Sequence, residues 1–154
     1  QAESWSFDEV IHQWHQLYSG SALSKRYLHI ERLRLGDRLK EAWAIDKIPI
    51  DALIPQLTLQ PLIENAIYHG IEHLNDGGTI AISGSIKDNI ISITINNPVS
   101  EFTRTLQRES NKMAQENVKL RLTALHGKAG KLSISDQDGF YQLTMSFPYK
   151  SERT

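Results

Sequence analysis

The sequence predicts an α+β protein: a two-layer sandwich in which a mixed, mostly antiparallel sheet carries helices on one face, preceded by N-terminal helices. Apolar residues recur at helical spacing through much of the first half. After residue 78 the isoleucines at 80, 82, 86, 91, 93 and 95 alternate with polar residues. Strands so patterned arrive as hairpins joined by tight turns, which builds antiparallel pairs rather than β-α-β units.

Taken in order, Phe7, Val10, Ile11, Trp14, Leu17 and Tyr18 predict an amphipathic helix, with Ser6 and Glu9 placed as a capping box. Ser19 to Ser21, containing Gly20, predicts a break, and a second helix runs from about Ala22 to Leu35 until Gly36 stops it. Its Lys25, Arg26, Glu31, Arg32 and Arg34 read as a solvated face. Leu39, Glu41, Trp43 and Ile45 alternate as one side of a strand, and Asp46 to Pro55 reads as a loop. Leu59, Leu62, Ile63, Ala66, Ile67 and Ile71 predict a helix over 57–71, with Pro61 tolerated only in its first turn. Asn75 to Gly78 (NDGG) is a turn, leading to strands over 79–86 and 89–96. The polar stretch from Asn97 to Asn111 has no apolar period and predicts a long irregular loop. A helix from about Lys112 to Leu125 and a final hairpin around Gly139 complete the chain.

Composition narrows the function classes. The 154 residues carry 17 basic and 18 acidic side chains, a net charge of -1, which argues against a nucleic-acid binder. With 40% hydrophobic residues the chain can bury a real core. It has no cysteine, which excludes disulfide scaffolds, cysteine nucleophiles and thiolate zinc sites. No run reaches the roughly 18 apolar residues that span a bilayer.

The string with chemistry in it is Gln60 to Gly70, QPLIENAIYHG. On a helix Glu64, Asn65 and Tyr68 share a side, and His69 lies four residues from Asn65. An acid, a carboxamide and an imidazole beside an apolar stripe can hold a hydrated divalent cation and its phosphates, because hard cations take oxygen ligands and magnesium keeps much of its water. The same pattern also fits the plain polar side of an amphipathic helix.

The two strings RYLHIERLRLGDRL and IPQLTLQPLIENAIYHGI, in that order, resemble the transmitter region of LytS/AlgZ-type sensor histidine kinases. The resemblance runs from about Arg26 to Tyr149, roughly four fifths of the chain. It implies the Bergerat (GHKL) ATP-binding fold shared with gyrase and Hsp90. It divides the chain into a helical remnant of the transmitter or dimerisation region over 1–36 and a histidine kinase-like ATP-binding domain over 37–150. It implies ATP and Mg2+ as cofactors: Asn65 holds magnesium on the ATP phosphates, Glu64 is its polar partner in catalysis, and His69 and Gly70 approach the nucleotide. Asn97 falls where the family reads adenine with an aspartate, and Met113 and Asn117 fall at and after the second glycine box. Implied partners are a response regulator and, in the full-length protein, a second copy. The implied location is the cytoplasmic end of an inner-membrane protein whose spans and acceptor histidine lie outside these residues.

The departures from the family pattern are specific. Tyr68 stands where many relatives have lysine, INNPVS replaces the first glycine box, and SNKMAQENVKLRL the second. Without glycines, backbone amides close less well on phosphates. His12, His15 and His29 lie in flanks unlike the family's acceptor string and read as surface or structural residues, while His73 and His126 read as partners of helix dipoles. Three functions fit: the ATP-binding part of a sensor kinase, a degenerate transmitter domain that docks partners without nucleotide, and a gyrase-type hydrolase with Glu64 activating water. The string before Gly36 argues against the last. The stretch from Asn97 to Asn111 is expected to be the ATP lid, mobile without nucleotide.

Overall fold

The computed structural model describes residues 14–55 and 58–151, with side chains described over 22–54 and 58–151. In chain order the elements are β1 (Trp14–Gln16), α1 (Leu17–Leu35), β2 (Leu39–Ala44), β3 (Leu53–Pro55), α2 (Leu59–Tyr68), β4 (Gly78–Lys87), β5 (Ile90–Pro98), α3 (Glu101–His126), β6 (Lys131–Ser135) and β7 (Phe140–Pro148). Five strands form one sheet in the order β2-β4-β5-β7-β6. Only β2 and β4 run parallel; the other neighbours are antiparallel. This is the predicted α+β sandwich.

The hairpin of β4 and β5 turns at Asp88 and Asn89, whose φ angles of 53° and 65° are left-handed. Lys87 faces Ile90 across a two-residue turn, the form whose twist matches that of paired strands. One face of the sheet buries Ile80, Ile82, Ile91, Ile93, Ile95, Leu143, Met145 and Phe147. The opposite face is polar, with Ser92 to Ser146 at 3.4 Å, Thr94 to Thr144 at 3.0 Å and Asn96 to Gln142 at 2.9 Å bonded across β5 and β7. Burying one isoleucine contributes about 1.5–3 kcal/mol and a cross-strand polar pair about 0.2–1 kcal/mol, so the isoleucines decide which face turns inward. The helices close over that face with Leu28 and Leu35 from α1, Leu62, Ile63, Ala66 and Ile67 from α2, and Val118 and Leu122 from α3.

Several expectations are corrected, beginning with the end of the predicted loop over Asp46 to Pro55, where Leu53–Pro55 is strand β3. Of the first predicted helix, residues 1–13 and its capping box lie outside the described residues, and Trp14–Gln16 is a strand paired with β3, Trp14 opposite Pro55. Helix α1 runs through Gly20 rather than starting after it. One glycine costs a helix only about 1 kcal/mol relative to alanine, less than the burial of Leu28 and Leu35 further along supplies. Helix α2 is shorter than predicted and has Pro61 as its third residue, where the absent amide would have had no intrahelical acceptor.

The largest correction concerns 97–111. Asn97 and Pro98 end β5, and 101–111 are the first turns of the continuous helix α3. Ser100 caps it: its hydroxyl accepts from the Thr103 amide at 3.2 Å, while Thr103 accepts from the Ser100 amide at 2.7 Å. Thr103, Gln107 and Asn111 are the buried side of those turns. The spacing is helical, but the residues are polar, so a search for apolar period passes over them.

Candidate functional site

Helix α2 presents the predicted residues. Glu64 is half-buried and accepts from Gln60 Nε2 at 3.2 Å. Asn65 is half-buried, and its carboxamide makes no hydrogen bond to any described residue. His69 ends the helix, its backbone amide donating to the Asn65 carbonyl at 3.0 Å. Among the described residues no three carboxylates or imidazoles gather as a metal site. One free carboxamide oxygen without such a cluster fits a magnesium ion that arrives with a nucleotide, its remaining ligands being phosphate and water.

Tyr68 accounts for one departure. Its ring meets Tyr27 of α1 edge-on, with 6.5 Å between centroids, and the Arg34 guanidinium lies 5.7 Å from its centroid. Arg34 also pairs with Glu72 at 2.6 Å and with Glu31, which is not on the solvated face expected of it but nearly buried, its charge met by Arg34. Burial, with Tyr68 and the Glu31 and Glu64 carboxylates nearby, pushes the Tyr27 hydroxyl well above its usual range. Tyr68 thus helps to join α1 to α2.

The C-terminal end of α2 meets β5 and α3 at Gly70. A side-chain carbon there would lie 2.5 Å from the Ala66 carbonyl oxygen, 2.6 Å from Asn97 Nδ2 and 2.7 Å from Gln107 Oε1. Asn97 and Gln107 are 1% and 2% exposed. Their carboxamides pair reciprocally: Asn97 Nδ2 donates to Gln107 Oε1 at 2.8 Å and Gln107 Nε2 donates to Asn97 Oδ1 at 3.0 Å. Asn97 Nδ2 also donates to the Pro98 carbonyl at 3.1 Å. Thus Gly70 and Asn97, two of the residues nominated from the sequence, come together, and Gln107 meets both.

Further along α3, Asn117 and Arg121 line a cavity of about 480 Å³ with Pro61, Ala114, Val118 and Leu120. Pro61 lies one turn before Asn65, so the cavity opens beside the start of α2. Arg121 forms no ion pair with a described residue and leaves its charge free to face an anion. Met113, in contrast, is 76% exposed and joins neither cluster. The sequence marks Arg121 only as matching, with Asn117 and Leu122, the helix after the second glycine box, and does not nominate Gln107 at all. The only trace of Gln107 was the spacing of Thr103, Gln107 and Asn111.

His126 differs from expectation. It closes α3 stacked on Phe147, and burial, with the Lys150 charge, pushes its imidazole down to about 4. It is neutral near pH 7 and is not the charged dipole partner anticipated. No helix among the described residues is long and apolar enough to cross a membrane.

No family model matches the sequence. The sensor histidine kinase YpdA of Escherichia coli is 31% identical over 96% of this chain and 27% of its own length. The sensor protein LytS of Oceanobacillus iheyensis is 28% identical over 81% of this chain and 23% of its length. The chain thus spans about a quarter of the length of the curated relatives it matches. Among solved structures, the histidine kinase AdeS of Acinetobacter baumannii superposes with a TM-score of 0.64 at 13% identity, covering 90% of this chain and 68% of that one. Full-length ShkA in complex with AMPPNP gives 0.57 at 15% identity, covering 84% and 30%. Histidine kinase ThkA in complex with the response regulator TrrA gives 0.51 at 11% identity, covering 92% and 42%. At these identities the structures establish a shared fold.

Proposed function

The chain is a relative of the LytS-type sensor histidine kinases, homologous to their ATP-binding region, and on that premise we propose that it binds Mg-ATP as the catalytic domain of a two-component sensor kinase. The γ-phosphoryl group passes to a histidine outside these residues and then to a response regulator. The observation that supports this best is the half-buried, unbonded carboxamide of Asn65, one turn from a cavity with Asn117 and Arg121 in its wall. Phosphoryl transfer depends on positioning and on neutralising charge, and the cation supplies the larger share of that charge. In this reading Asn65 orients the cation, and Glu64, held by Gln60, is the polar partner beside it. His69, Gly70 and Asn97 face the nucleotide, and Met113 and Asn117 lie along its phosphate side.

The domain division follows the same reading, with 1–36 as the dimerisation remnant and 37–150 as the ATP-binding domain. Leu23, Ile30 and Leu33 of α1 are at least half exposed, which suits a helix covered by a second copy in the full-length protein. Anchoring of the whole protein in an inner membrane, with this part in the cytoplasm, belongs to the proposal too.

A second reading is favoured by one observation: α3 is continuous where the family resemblance leads one to expect a glycine loop, and Gln107 is bonded to the carboxamide of Asn97. A domain built so can dock partners without nucleotide. Calorimetric titration with Mg-ATP decides. Binding that Asn65→Ala abolishes supports the kinase reading, and no binding at millimolar nucleotide supports the docking module.

A further inference from the structure

We propose that Gln107 is a built-in occupant of the base site, holding the place of a nucleotide base on Asn97, so that nucleotide enters only when the first turns of α3 withdraw. This rests on the ATP-binding reading above and adds its regulation. A carboxamide offers one donor and one acceptor side by side, the arrangement also found on the N6–N1 edge of adenine. Gln107 presents that arrangement to Asn97 and makes both bonds, at 2.8 Å and 3.0 Å. With Asn97 only 1% exposed, no second ligand can reach the edge while Gln107 is in place. Gly70 completes the slot, because any side chain there would strike both carboxamides.

The way α3 is held suits a displaceable segment. Its first turns bury Thr103, Gln107 and Asn111 and leave Phe102 and Met113 68% and 76% exposed, an inversion of the usual amphipathic helix. Asn111 Oδ1 is buried there without a hydrogen-bond partner, so the contact is incompletely satisfied. Polar contacts exchange for water at little net cost, whereas the Val118 and Leu122 anchors further along do not. The segment 101–111 can therefore lift while the rest of α3 stays seated.

Two measurements on the 154-residue chain test this. In the first, Gln107→Ala frees Asn97 and is expected to bind Mg-ATP about tenfold more tightly than wild type. Equal or weaker binding by the folded variant overturns the proposal. In the second, amide hydrogen exchange of the wild type is expected to speed up over 101–111 when Mg-AMPPNP saturates it, a readout that stands even if Gln107→Ala does not fold. Slower exchange over 101–111 also overturns it. If neither wild type nor variant binds Mg-ATP, the ATP-binding reading itself falls; if wild type binds and Gln107→Ala gains nothing, only the occupant role falls.

Discussion

The imidazole of His126 stacks on the ring of Phe147 with 5.5 Å between centroids and 25° between planes, which joins the end of α3 to the sheet through a neutral histidine. Folding lowers its pKa from 6.5 to about 4, so the folded state takes up the proton later than the unfolded chain does. Stability from this contact is complete above pH 6.5 and is lost as pH falls from 6.5 toward 4. A variant His126→Phe keeps the stack without the titration. Its melting temperature should fall less than that of wild type between pH 6.5 and 4, with equal slopes above pH 7. Parallel curves throughout would contradict the assignment.

Gly70→Ala places a methyl group 2.5 Å from a backbone oxygen that cannot rotate away. The expected loss is about 2 kcal/mol or more. Urea denaturation should show a lower midpoint at unchanged slope, and a loss below about 0.5 kcal/mol would mean that α2 and β5 are further apart than described.

Arg34 touches Glu31, Glu72 and Tyr68, while Arg104 pairs, among the described carboxylates, only with the exposed Glu101. Removing Arg34 strands the nearly buried Glu31 carboxylate, so Arg34→Ala should cost about 1–3 kcal/mol. Arg104→Ala should cost less than about 1 kcal/mol through its ion pair. Chemical denaturation of both variants checks the order, and equal losses would remove the special role of Arg34.

Asn89 occupies the second turn position with φ of 65°. Glycine adopts this conformation freely and a β-branched residue does not. Asn89→Gly should be neutral or stabilise by up to about 0.5 kcal/mol, and Asn89→Val should destabilise by about 1–2 kcal/mol. Thermal unfolding of the pair should show opposite shifts relative to one another.

Saturating Mg-ATP, at a hundred times its dissociation constant, should stabilise the wild type by about 2.7 kcal/mol and leave Asn65→Ala unshifted. For a chain of this size that is a rise in melting temperature of roughly 5–10 °C. An equal rise in both proteins would show that ATP binds without Asn65.

The five-stranded sheet was legible because Ile80, Ile82, Ile91, Ile93 and Ile95 alternate and one face of each strand is dry. Helix α2 was legible for the same reason at a different period. Two elements were not. The strand Trp14–Gln16 exists because its backbone pairs with residues some forty positions away, a contact no local pattern encodes. The start of α3 buries Thr103, Gln107 and Asn111, so its amphipathicity is written in hydrogen bonds, to which hydrophobic periodicity is blind. The site divides likewise. Asn65, Gly70 and Asn97 could be nominated from one string and one position, but Gln107 acquires meaning only where Gly70 lets two carboxamides meet.

The outer face of the sheet leaves the molecule with a front and a back. Ser92, Thr94 and Asn96 bond to Ser146, Thr144 and Gln142 across the strands. Hydroxyls and amides already engaged with one another have less to offer a visitor, and the large apolar side chains of this face, Ile90 and Phe140, stand apart at its two ends. The helices expose more apolar surface than the sheet does, with Leu23, Ile30, Leu33, Phe102, Met113 and Leu120 all open. Two surfaces so unequal in apolar area give the domain a polarity of its own before any partner is present.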